Sequence, residues 1–174
     1  QRNGRPGVAQ GEGETVRRLR GKGWRAGLKK GQAVAGTAGS RGITDPPRSL
    51  RNVVREVKAA GGEAFLVPAM GSHGGATDEG QVSLLAGLGI TEESMGAPIR
   101  STMETVVLGT SSNGLPVHMD RNAAEADAVI AVNRVKPHTS YRGTVESGVA
   151  KMLAIGLGKQ KGAEICHNLG FGHM

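Results

Sequence analysis

Two rhythms of apolar positions organise this chain. The first has helical spacing: SLRNVVREVKAA places Leu50, Val53, Val54 and Val57 on one face. Pro47 suits the first turn of that helix, and Gly61-Gly62 its end. The second rhythm is the short apolar run, which marks strands in QAVAGTA, EAFLVPAM and DAVIAVNRV. DAVIAVNRV is the most continuous and is expected to be the most buried strand. TVVLGT and LPVHM bracket Ser111–Gly114, the pattern of a hairpin. Thr77 is placed to cap a helix that runs to about Leu85. VESGVAKMLAI and KQKGAEICHNL read as helices separated by Gly156 and Gly158. A short helix is expected over Glu14–Arg20, and connecting structure over residues 86–103.

Strand, loop and helix alternate along the chain. That order predicts a Rossmann-like α/β fold, a mainly parallel sheet with helices on both faces. Ligands of such sheets bind beyond the carboxyl ends of the strands. The loops GSRG, GSHGG and KPHTSYRG each follow a predicted strand, so all three are expected at that edge.

Composition narrows the picture. Hydrophobic residues make up 37% of the chain and aromatics only 2%, so the core must be aliphatic. The 29 glycines cluster in loops with no period of three, which excludes collagen. The net charge of +7 is unevenly placed: residues 1–60 carry +10 and residues 61–174 carry −3. Residues 1–31 read as a basic N-terminal segment and residues 32–174 as the domain proper. A basic surface can attract nucleic acid or another anion, but Trp24, Phe65, Tyr141 and Phe171 are too few for a stacking platform. The single cysteine, Cys166, cannot form an intrachain disulfide and is expected to be buried and inert, which fits a cytoplasmic protein. No apolar run is long enough to span a membrane. The chain starts at Gln1 and stops in LGFGHM, so a fragment is expected.

Candidate chemistry concentrates in two places. His73 sits in the glycine loop PAMGSHGGAT, and His138 follows the second strong strand after Lys136-Pro137. Imidazole titrates near neutrality, so two loop histidines at one sheet edge suggest paired acid/base groups. Lys151 and His167 lie sixteen residues apart on the last two predicted helices. Read alone, each is an ordinary helix residue. The chain has no CxxC, HExxH or acidic cluster, so a self-contained zinc site is not expected. GLGKQKG lacks the GxxxxGK[ST] pattern of a phosphate loop. His118 and His173 read as incidental.

Three ordered blocks resemble the nickel-pincer, lactate-racemase-like racemases and epimerases: GSRGI, PAMGSHGGAT, and RVKPHTSYRGTVESGVAKMLAIGLGKQKGA with His167 after it. The resemblance covers roughly residues 33–172, the N-terminal catalytic domain of a normally two-domain protein. It implies that His73 and His138 are the catalytic histidines, on opposite faces of a 2-hydroxy acid. It implies that Lys151 holds pyridinium-3,5-bisthiocarboxylic acid mononucleotide through a thioamide, and that His167 is the protein ligand of nickel. Ser72, Gly74, Ser147 and Gly148 would border the cofactor. One histidine would remove the hydroxyl proton while the α-hydrogen leaves as hydride to the cofactor. Return of the hydride to the other face would invert the centre.

Lactate racemases carry Asp-x-Thr-Arg after the first strand. This chain has Ala38-Gly39-Ser40-Arg41, so the arginine matches and the aspartate does not. Asp45-Pro46-Pro47-Arg48 repeats the D-x-x-R spacing, but close to His73. Arg41 is therefore the expected partner of the substrate carboxylate. The changed motif implies a different 2-hydroxy acid, or a sugar acid, as substrate. Expected partners are that small molecule and the enzymes that make the cofactor. The resemblance implies a second domain that residues 1–174 are not expected to include, so the chain is expected to hold most of the chemistry yet be inactive alone. Two other readings stand beside this one. One is a non-enzymatic basic α/β module that binds nucleic acid or another anion through residues 1–60. The other is a family member that keeps the fold and a bound anion without racemase activity.

Overall fold

The computed structural model describes residues 23–40, 43, 45–135 and 147–168. In chain order the elements are α1 (Trp24–Gly27), β1 (Ala33–Ala38), α2 (Pro46–Ala59), β2 (Glu63–Pro68), α3 (Asp78–Gly87) and α4 (Glu92–Met95). They continue with β3 (Thr105–Thr110), β4 (Pro116–Asp120), α5 (Arg121–Ala124), β5 (Ala128–Ile130) and α6 (Val149–Lys151). A π-helical turn, Met152–Gly156, then leads to α7 (Lys159–Asn168). The expected helix over Glu14–Arg20 lies outside the described residues.

The main sheet is parallel, in the order β2-β1-β5. Side chains alternate across it, as a strand's two-residue period requires. Val34, Ala38, Ala64 and Leu66 face one core, with Leu50, Val53, Val54 and Val57 of α2, Leu85 of α3 and Met95 of α4. Ala35, Phe65 and Val67 face the other, with Met119 of β4, Ala123 of α5, Met152 and Leu157. The sheet is thus covered on both faces, the α/β architecture expected from the alternation of elements.

Local signals explain most boundaries. The α2 helix begins where Asp45, at φ 50°, accepts a hydrogen bond from the Arg48 amide at 3.2 Å. The D-x-x-R spacing at Asp45–Arg48 is therefore a helix cap. Thr77 caps α3 through the Gly80 amide at 3.0 Å, as expected. Gly62 ends the turn before β2, where a Cβ would lie 2.8 Å from Leu28 Cδ2. The hairpin β3-β4 forms as predicted but is a separate two-stranded sheet.

DAVIAVNRV departs from its expectation. Only Ala128–Ile130 is strand, at the sheet edge and half-buried. Beyond it the Val132 amide bonds to the Thr37 side chain at 2.8 Å instead of extending the ladder. An apolar run by itself fixes neither burial nor strand length, since both depend on which neighbours the strand meets in the fold. Among the described residues no helix is long and apolar enough to cross a membrane.

Leu66 is fully buried in the central core. Leu66→Ala should lower the unfolding free energy by about 2–5 kcal/mol, read as a shift of the urea midpoint at unchanged slope.

Candidate active site

Because β1, β2 and β5 are parallel, the chain leaves all three at the same edge. The first departing loop holds Gly39 and Ser40, the second holds residues 69–77, and the third begins at Ala131. Arg41 and His138, the expected substrate arginine and second catalytic histidine, lie outside the described residues. The stems of the segment that carries His138 meet: a Cβ on Gly148 would lie 3.1 Å from Val135 Cγ2. Gly148 has φ 78°, a left-handed geometry that suits glycine.

His73 is exposed, and its Nδ1 lies 2.8 Å from Ser40 Oγ. That contact joins the first loop to the second and orients the imidazole. The loop beneath it is tightly wound. Gly71, Gly74, Gly75 and Ala76 all have positive φ. At Gly74 a Cβ would lie 2.6 Å from the Gly80 carbonyl carbon and 2.7 Å from the Gln81 amide. Backbone thus packs on backbone where α3 begins, which gives Gly74 a structural reason to be glycine. Ser72 beside His73 is exposed.

The segment carrying Lys151 runs against the same loop. The Gly71 amide bonds to the Gly156 carbonyl at 3.2 Å. A Cβ on Gly71 would lie 3.1 Å from Ile155 Cγ2, and one on Gly39 3.5 Å from Met152 Cε. The π turn therefore touches the loops after both β1 and β2. Such turns cost regular hydrogen bonding and are frequent at functional sites. Lys151 precedes the turn and is exposed, as is Val149, while Met152 and Ile155 are half-buried. Ser147 is half-buried and Gly148 buried. His167 is exposed in the last turn of α7. Cys166 is half-buried rather than buried, and desolvation raises its thiol pKa.

One feature was not legible in the sequence. Lys159 is 0% exposed and has φ 56°. Its Nζ lies 2.6 Å from the Pro68 carbonyl oxygen, 2.9 Å from Gln81 Oε1 and 3.0 Å from Asp120 Oδ2. The first two are hydrogen bonds. The third is an ion pair whose angle is poorer than that of a hydrogen bond. Burial pulls the Lys159 pKa down and pushes that of Asp120 up, while their mutual attraction opposes both shifts. Three oxygen acceptors around one nitrogen suit the ammonium form, which has three protons to donate. Asp120 Oδ1 also accepts from the Ala123 amide at 3.0 Å. Gln81, fully buried, turns its Nε2 to the Gly71 carbonyl at 2.8 Å and the His73 carbonyl at 3.2 Å. A lysine with a left-handed backbone costs about 1–3 kcal/mol, so tertiary contacts hold it there.

A groove of about 510 Å³ lies elsewhere, along α2, lined by Arg48, Arg51, Arg55 and Lys58 among others. The histidine edge is a different place, and it holds the candidate chemistry.

Residues 39–173 match the model of the lactate racemase N-terminal domain family. No curated protein matches the chain.

Gly80 is as tightly constrained as Gly74, since a Cβ there would overlap the Gly74 carbonyl. Gly80→Ala should displace the His73 loop. Amide hydrogen exchange should rise over residues 71–77 while the β1-β2 ladder stays protected; equal protection in both proteins would show that the loop tolerates the methyl group.

Proposed function

The chain belongs to the lactate racemase N-terminal domain family, and on that premise we propose that it is the catalytic domain of a racemase or epimerase of 2-hydroxy acids. The observation that carries the reading is the shared edge. His73, oriented by Ser40, sits in a loop that touches the turn following Lys151. A proton-transfer group and a lysine for covalent attachment thus share one frame.

The residues present fit a nickel-pincer nucleotide. Among the described residues no group of three or more His, Cys, Asp or Glu side chains could hold a metal ion. A nickel ion with one protein ligand and the rest from a nucleotide needs no such group. His167, an exposed imidazole, has the chemistry for that single bond. Lys151 is exposed, so its amine is accessible for a thioamide. When bound, the nucleotide supplies a reversible hydride acceptor.

The protein's part is proton transfer and orientation. Arg41 pairs with the substrate carboxylate through its planar guanidinium. His73 takes the hydroxyl proton on one side, and His138 returns a proton on the other. For the reverse reaction the two exchange roles. Each direction of inversion therefore needs both histidines. Ser72, Gly74, Ser147 and Gly148 border the cofactor in this reading. The enzymes that build the cofactor are its partners, and the cytoplasm its compartment.

A second reading has one observation in its favour, the four cations along α2. A polyanion bound there would lose affinity steeply with salt, by about 10³-fold or more between 50 and 200 mM for six or more phosphate contacts.

Two measurements test the main reading. Racemisation of a panel of 2-hydroxy acids should fall by about 10²–10⁴-fold in His73→Ala and in His138→Ala. Near-normal turnover in either variant would remove that histidine from the mechanism. In protein co-produced with cofactor-synthesis enzymes, intact mass should reveal an adduct that Lys151→Ala abolishes. His167→Ala should keep the adduct and lose nickel. An unmodified Lys151 in loaded protein, or full nickel content in the His167 variant, would overturn the cofactor assignment.

A further inference from the structure

We propose that Lys159, acting through Gln81, is the positioning residue for His73. The proposal rests on the reading of His73 as an acid/base and adds the device that sets its place. Lysine is rarely buried completely unless its charge is paired. Here the ammonium meets three acceptors from three elements: Pro68 at the end of β2, Gln81 on α3 and Asp120 at the end of β4. None of these is on the helix that Lys159 begins.

The chemistry of the amide carries the link onward. Lys159 has only donors to offer, so Gln81 must present Oε1 to it. That fixes Nε2 on the other side, where it bonds to the carbonyls of Gly71 and His73. His73 is therefore held through its own carbonyl as well as through its Nδ1 contact with Ser40. The same ammonium bonds to Pro68, where the chain leaves β2 toward the histidine.

Lys159 also fixes the other half of the site. It follows the π turn, whose Gly156 carbonyl accepts from the Gly71 amide. Lys151 stands at the other end of that turn. One buried charge thus sets the register between the loop carrying His73 and the segment carrying Lys151. An apolar side chain could fill the same volume. It could not orient Gln81, and the carbonyls of the loop would lose their donor.

The decisive variant is Gln81→Glu. A carboxylate still accepts from Lys159, so the buried charge keeps its partner, but it cannot donate to the two carbonyls. Exchange of the amides over residues 71–77 should rise by at least about tenfold with the β1-β2 ladder unchanged. The NMR signals of the His73 ring should shift. Turnover should fall by about 10²-fold, in kcat more than in KM, as expected for a misplaced reactive group. Gln81→Met should give the same pattern and stands in if the charged variant does not fold. A folded variant with unchanged loop exchange and unchanged His73 signals would overturn the proposal. If the wild-type protein racemises no 2-hydroxy acid, the functional reading fails, and the exchange and ring signals still decide whether Lys159 and Gln81 position His73.

Discussion

One buried ammonium ties the parallel sheet, the α3 helix and the β3-β4 hairpin to a common point. The parallel sheet has three strands, one of them only three residues long, and the β3-β4 hairpin shares no ladder with it. Asp120, the last residue of that hairpin, is joined to Lys159 by an ion pair and to Leu157 by its amide at 2.7 Å. Lys159 in turn reaches Pro68 in the main sheet and Gln81 in α3. Desolvating two charges costs several kcal/mol each, and their attraction repays it only with good geometry and further hydrogen bonds. Here the further hydrogen bonds are present, from Lys159 to Pro68 and Gln81 and from the Ala123 amide to Asp120, while the ion pair itself is close but poorly angled. Replacing such a pair by apolar residues is often neutral for stability. Its presence is therefore better explained by the directions it imposes than by the free energy it contributes.

That distinction separates what was legible in the sequence from what was not. The α2 helix, the Thr77 cap, the hairpin and strands β1 and β2 could all be read locally. Periodicity, caps and turns are encoded within a few residues of where they act. The position of His73 was legible one step further on, because a loop after a parallel strand must open at the carboxyl edge. Its partner Ser40 is 33 positions away, and no local pattern joins them. Lys159 was invisible for the same reason. GLGKQKG offers two lysines between glycines, and Lys159 is buried while Lys161 is exposed. Its acceptors on Gln81 and Pro68 stand 78 and 91 positions away. Only folding shows which of the two lysines meets them.

The departures share a physical origin. DAVIAVNRV became a half-buried, three-residue edge strand because burial and pairing both depend on the neighbours that folding supplies and not on apolar character alone. Lys151 is exposed, and the apolar Val149 and Leu153 beside it in sequence are exposed with it. Val135, beside Gly148, is 78% exposed. Apolar residues therefore surround the candidate attachment point without being covered by the described part of the chain. On the proposed function, a ligand attached at Lys151 would cover such residues and desolvate the lysine.

Distance decides what the basic side of the molecule contributes. The α2 helix starts after the first loop of the candidate edge, so Arg48 in its first turn is the groove cation nearest that loop along the chain. Lys58 is ten residues further along, about 15 Å at the helical rise. Screening at physiological salt acts over about 8 Å. Charge at the far end of the stripe is therefore almost silent at the histidine edge, whereas the first turn is not. On the proposed function, a small carboxylate approaching His73 would feel the first turn of α2 more strongly than Lys58 at its far end. The far cations of the groove along α2 would add little to that approach, and the racemase reading does not depend on them.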